Sequence, residues 1–437
     1  MAAQLLLGLS ILVGMHELGH MLSAKYFGMR VEKYSIGFPP KVFSFKKGET
    51  EYSLGAIPLG GFVKISGMVD ESLDTEKLNQ KPEPWEFRAK PAWQRLIVMM
   101  GGIIVNLLLG IIIFIGIYWF YGEKYYSRED VNRNGIVAYE LAEKIGLKTG
   151  DKIIQVNGKD FEKFPQDILT PEILLSDSSY YTVERNGQLL RIDIPKTLIA
   201  DLSSNKKARF LSAAMPFAVK KVVPGSAAEK GGLLDEDIII AVNGDSVAYF
   251  QMFQEMLIAN KGKTVDISVL RAGSVQNLNL TVGEDGKVGF EVKPLLEERS
   301  GSYPLAEAIP AGTERAFSVI INTIKAIGEM FKGNIKPSDS VAGPLMIAQE
   351  YGGEWIWERF WFLTASLSMV LAFMNFLPIP ALDGGHVMFL TYEMVAGRKP
   401  SDKFLENAQK VGMLLLLTLM VLVFSNDFYK IYKMIFN

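Results

Sequence analysis

Apolar runs divide this chain into two kinds of territory. Four segments, Ala2 to Ala24, Leu96 to Tyr121, Phe360 to Leu377 and Val411 to Phe424, are apolar. At about 1.5 Å of rise per helical residue, the first two are long enough to cross a bilayer. The second is rimmed by Trp93 and Arg95 at one end and by Tyr118, Trp119 and Tyr121 at the other, as interfacial belts require. The fourth holds only 14 apolar residues in a row, a length that also suits a buried or re-entrant helix, and is read as a span.

Between Glu123 and Pro294 the hydropathy falls to that of a soluble domain, and the stretch aligns with itself at an offset of 86 residues. Ala142 to Gly158 matches Ala228 to Gly244 without gaps. Two copies of one unit follow. Each reads as a short helix, a Gly-Leu turn, an Ile/Val strand and an Asn-Gly hairpin turn. The expected organisation is a first membrane part over 1–121, repeat copies over 122–205 and 206–295, a linking helical region over 296–355, and a second membrane part over 356–437.

Composition narrows the class: 49% hydrophobic and 22% charged residues imply a mixed membrane and soluble architecture. A net charge of −2 leaves no basic footprint for nucleic acid. The absence of cysteine excludes a disulfide framework and thiolate metal sites, without identifying a compartment. The N-terminal run lacks a basic leader and is read as a span rather than a signal peptide. No Lys or Arg precedes Lys25, whereas residues 25–95 hold twelve, so that loop is expected in the cytoplasm. Both termini and the repeated block then lie outside.

The chemistry sits inside the first span. The chain has three histidines, and two of them frame His16-Glu17-Leu18-Gly19-His20. Positions i and i+4 share a helix face, so both imidazoles can reach one Zn²⁺ while Glu17 stands beside the attacking water. Polar groups at such depth are costly and point to function. A catalytic zinc needs a third protein ligand and an open position. If the first helix starts near Ala2, His16 lies roughly 21 Å along it, in the far part of a core about 30 Å thick. Spans one and three run in the same direction, so the segment Asn375-Phe376-Leu377-Pro378-Ile379-Pro380-Ala381-Leu382-Asp383-Gly384-Gly385-His386 returns to that depth. Asp383 is the expected third ligand there, with His386 three residues on.

With these motifs together, the chain resembles the site-2 protease family of intramembrane zinc metalloproteases, in its bacterial regulator-of-sigma-E form, over nearly its whole length. The second copy, preceded by Val222 to Ala228 with its Pro224-Gly225-Ser226, resembles bacterial PDZ domains. The first, with Tyr139-Glu140-Leu141 in that place, is a weaker match. The fold class implied is a multi-pass α-helical membrane protein of about four spans, with an inserted pair of PDZ-like α+β domains and a small membrane-associated β-hairpin. The resemblance makes His16, His20 and Asp383 zinc ligands, Glu17 catalytic, and Asn375, with neighbouring Pro378, substrate-binding. It gives His386 no ligand role, and the residue is expected to shape the site.

A helical substrate hides its scissile amides in hydrogen bonds and must be unwound before attack. The segment Glu51 to Ile65 reads as a short apolar hairpin with a free edge for strand addition, which nominates Gly60, Gly61, Phe62 and Val63 as substrate contacts. The resemblance places a re-entrant β-loop there. Expected partners are single-span membrane proteins, such as anti-sigma factors or remnant signal peptides, together with membrane lipid and peptide C-termini at the PDZ copies. The implied location is the bacterial inner membrane. The PDZ copies act either as peptide binders or as spacers and steric filters. Two rivals remain at this stage, a membrane-anchored PDZ scaffold with a structural zinc and a metal-ion transporter. Only three plausible protein ligands exist, which disfavours a closed structural site, and no inverted membrane repeat appears, which disfavours a transporter.

Overall fold

The computed structural model of the chain describes every residue except 69–80, 175, 177, 196, 205–208, 302 and 437. The chain forms two compact units, one of Met1–Gly122, Ser302–Gly328 and Pro337–Asn437, the other of Glu123–Gly301 and Glu329–Lys336.

The first unit holds six main helices, α1 (Ala2–Tyr26), α2 (Ala92–Phe120), α3 (Leu305–Phe331), α4 (Trp357–Phe376), α5 (Asp383–Ala396) and α6 (Asp402–Phe436). Four are long and apolar enough to cross a membrane: α1, α2, α4 and the Lys403–Tyr432 part of α6. The fourth candidate thus extends well beyond the 14 apolar residues of its core in the sequence.

α2 is the central helix. It meets α1 where Gly19 faces Gly101, and a Cβ added to either glycine would strike the other's backbone. This small-residue crossing lets the two helix backbones touch. Farther along, Ser368 of α4 donates to the Asn106 carbonyl at 2.7 Å. α3 also packs on α2, where Gly312 lies against the backbone of Ile115. α6 is the least buried of the four candidate spans. Near one end its Gly412 lies against the Pro380 carbonyl. Toward the other, buried Asp427 accepts from the amides of Gly343, Leu345 and Met346, capping the helix Pro344–Glu350 from 81 or more residues away in sequence. Those amides are the orphan donors that any helix start must satisfy.

After α1 the chain enters two long bent strands, β1 (Val31–Lys47) and β2 (Thr50–Ile65). Their register shows four strand segments rather than two. Residues 43–47 pair with 50–54, and Lys33 to Ile36 run alongside Glu51 to Leu54. Tyr34, Ser35 and Ile36 also pair with Val63, Phe62 and Gly61. The hairpin expected from Glu51 to Ile65 is therefore half of a larger curled sheet that starts at Val31. The sequence hid this because residues 33–36 pair on both sides. Residues 61–65 form one outer segment of the sheet.

In the second unit the 86-residue offset reappears in three dimensions. Arg185 bonds Asp151 and the Gly146 carbonyl at 2.6–2.7 Å, as Arg271 bonds Asp237 and the Gly232 carbonyl at 2.6–2.8 Å. Asn157 accepts from the Tyr180 amide and Asn243 from the Asp266 amide. Both asparagines have positive φ, 52° and 51°, and each precedes a positive-φ glycine, the backbone of a tight hairpin turn. Strands 152–156, 180–185 and 188–193 of one half match 238–242, 264–271 and 274–281 of the other in sheet order. Each half has its own apolar core. The expected boundary at 205/206 lies outside the described residues. Phe210, Leu211 and Ala213 belong to the first core, so that half runs past residue 206.

Candidate active site

His16 and His20 stand one turn apart on α1, and Asp383 is the first residue of α5, just past the break at Leu377 to Leu382. A carboxylate at a helix N-terminus is favoured by the backbone dipoles there. Nε2 of His16 lies 3.2 Å from Nε2 of His20, and Asp383 Oδ2 lies 3.1 Å and 3.3 Å from the two. This is the one cluster among the described residues that could hold a metal ion.

The donor set fits zinc. Asp383 Oδ2 is buried and has no hydrogen-bond partner despite its two close neighbours. Three lone-pair atoms this close repel one another unless a cation stands among them. Ligands about 2.0–2.1 Å from a tetrahedral zinc are about 3.3–3.4 Å apart, close to the spacings seen here. His20 Nδ1 lies 2.8 Å from the Val98 carbonyl, which can only accept, so the proton belongs on Nδ1 and the Nε2 lone pair faces the cluster.

Glu17 stands beside the cluster without joining it. The backbone amide of Val63, on the outer segment of the sheet, faces its carboxylate. Gly61 is its other neighbour in the sheet, where an added Cβ would lie 3.6 Å from the Glu17 Cγ. Tyr34 donates to the Gly14 carbonyl at 2.7 Å, a second tie between the sheet and α1. The sheet's outer segment is thus held against the histidine-bearing turn of α1.

A cavity of about 610 Å³ opens on this cluster. Its lining includes His16, Glu17, His20 and Asp383, together with Gly61, Phe62, Val63, Asn375 and His386. The amide of Asn375 reaches within 3.5 Å of His16 Nε2. Gly60 and Pro378 are not among the residues that line it. Gly60 lies against the ring of Phe38, and Pro378 is exposed at the break after α4.

Sequence reasoning missed three contributors on α2. Val98 supplies its carbonyl to His20. Gly102 faces both imidazoles, and any side chain there would press on them. Asn106, only 1% exposed, brings its amide to 3.4 Å from His16 Nδ1. A usable signal existed for Asn106, because it is the one amide between Leu96 and Tyr121, and polar groups within a span mark function. Nothing in the sequence marks a carbonyl.

Comparison with known proteins identifies the family. The chain is 28% identical to the regulator of sigma-E protease RseP of Escherichia coli, covering 98% of each protein. It is 28% identical to a putative zinc metalloprotease of Neisseria meningitidis, over 95% of this chain and 96% of that one. A similar protein from Haemophilus influenzae, named regulator of sigma E protease, is 28% identical over 98% of both. The profile of peptidase family M50 matches residues 4–419, so the chain belongs to that family.

Proposed function

We propose that the protein is an intramembrane zinc metalloprotease that cuts single-span membrane proteins, with His16, His20 and Asp383 as metal ligands and Glu17 as general base. The observation that carries this reading is that the three ligand atoms, Glu17 and the outer sheet segment all face one cavity. A closed structural zinc has no use for such a space, which weighs against the scaffold alternative. Zinc bound there would polarise the scissile carbonyl and acidify water.

This chain's residues do the rest. Glu17 takes the proton of the attacking water and passes it to the leaving amine. The Val63 amide fixes the carboxylate's orientation. Backbone groups of 61–65 receive the unwound substrate by strand addition, and Asn375 contacts its main chain. Anti-sigma factors are one such substrate class, in keeping with relatives named regulators of sigma E. The family supports a bacterial inner-membrane location, and the charge pattern supports an orientation with the repeated block outside and the metal toward the cytoplasm. That block is a tandem pair of PDZ-like domains inserted between the second and third spans, which bind peptide C-termini or exclude bulky substrates. Lipid surrounds the spans, and no nucleic acid is involved.

The test is Glu17→Gln in purified protein against a single-span substrate. Cleavage should vanish while about one zinc per chain remains, as expected when a base is lost and ligands stay. Turnover at the unaltered rate would refute the assignment.

A further inference from the structure

We infer that Asn106 is a positioning residue for His16: its side-chain oxygen receives the Nδ1 proton and so keeps the Nε2 lone pair of His16 directed at the metal. This rests on the metal-site reading above.

The two histidines face one problem. Each must present an unprotonated Nε2 to the cluster, so each must carry its proton on Nδ1. A buried N–H without an acceptor costs about 1–3 kcal/mol. For His20 the acceptor is the Val98 carbonyl at 2.8 Å. For His16 the hydrogen-bonding group at Nδ1 is the Asn106 amide, drawn with Nδ2 at 3.4 Å. In that orientation two N–H groups would confront each other once Nε2 is committed to a metal. The Asn106 Oδ1, meanwhile, is buried with no hydrogen-bond partner. Amide oxygen and nitrogen are assigned by their hydrogen bonds, and exchanging them turns the clash into Nδ1–H donating to Oδ1. The exchange gains only when metal holds Nε2, so the amide orientation is coupled to metal binding.

The backbone supports the placement. Asn106 is pinned at the contact of α2 with α4 by the hydrogen bond from Ser368 to its carbonyl. Its side chain cannot retreat to water, because the residue is 1% exposed. The two histidines are thus held by unlike acceptors on one helix, a carbonyl for His20 and a side-chain amide for His16. Only the second can be altered by substitution.

The experiment measures zinc affinity of the full-length purified protein by chelator competition, with the thermal melt of the metal-free form as a fold control. Loss of an outer hydrogen bond to a ligating histidine typically costs 10–100-fold in metal affinity. Asn106→Leu should show that loss with an unchanged melt, whereas Asn106→Asp, which can only accept, should stay within a few-fold of the parent. Asn106→Thr keeps a neutral acceptor and replaces Asp if the buried carboxylate impairs folding. A double-mutant cycle isolates the partner: Asn106→Leu should add little to His16→Ala, yet keep its full effect on top of His20→Ala. Parental affinity in Asn106→Leu, equal losses in the Leu and acceptor variants, or equal effects in both histidine backgrounds would each overturn the inference. If the parent protein itself binds no zinc, the functional reading fails first.

Discussion

Substituting Gly102 by alanine separates the stability of a helix from the integrity of its site. An added Cβ would lie 2.6 Å from His16 Cε1 and 2.7 Å from His16 Nδ1, and would press directly on His20 Nε2. Comfortable carbon contacts begin at about 3.5 Å, so the imidazoles must retreat by roughly 1 Å. Metal–ligand distances tolerate only about 0.2 Å. At least one ligand should therefore be lost, with zinc affinity falling by about 100-fold or more, which is about 2.7 kcal/mol. Helix propensity pushes the other way, since alanine is favoured over glycine by about 1 kcal/mol within a helix. The metal-free protein should melt no lower than the parent while its zinc is stripped by a weaker chelator. Gly116→Ala is the control on the same helix, because nothing lies within 4 Å of a Cβ there, and it should leave zinc affinity unchanged. If Gly102→Ala binds zinc like the parent, the close packing of α2 against the two histidines is not what shapes the site.

Three further outcomes are expected. Asp383→Asn should weaken zinc binding measurably by chelator competition, while His386→Ala, which removes a wall of the cavity, should retain the metal; the reverse pattern would show the third ligand to be misassigned. Val63→Pro removes the amide that faces Glu17, so cleavage should fall at least about tenfold with zinc content unchanged, and an unaltered rate would show that this amide positions nothing. Asp237→Ala breaks the paired contact to Arg271 and the bond to the Leu234 amide. Because Arg271 keeps some access to water, the cost should be about 2 kcal/mol, read as roughly 30-fold faster amide exchange across the strands 238–242 and 264–271.

The sequence determined what periodicity and local chemistry can carry. Four apolar stretches declared the helices because a membrane leaves no other use for such runs. The internal repeat declared two similar halves because turns, buried strands and Asn-Gly corners recur wherever the same local rules recur. His16, Glu17 and His20 were legible because a helix alone sets their mutual placement. Tertiary structure decided everything that depends on which segments meet. Residues 33–36 gave no sign of pairing on both sides, since hydrogen bonds of a strand's backbone are indifferent to side-chain identity. Gly60 and Gly61 looked equivalent in sequence, and only the bend of the sheet turned one toward Phe38 and the other toward Glu17. The acceptors for the two histidines lie on α2, 78 and 90 residues away in sequence. They reach the imidazoles because glycines let α1 and α2 touch, and that contact exists only once the helices have packed.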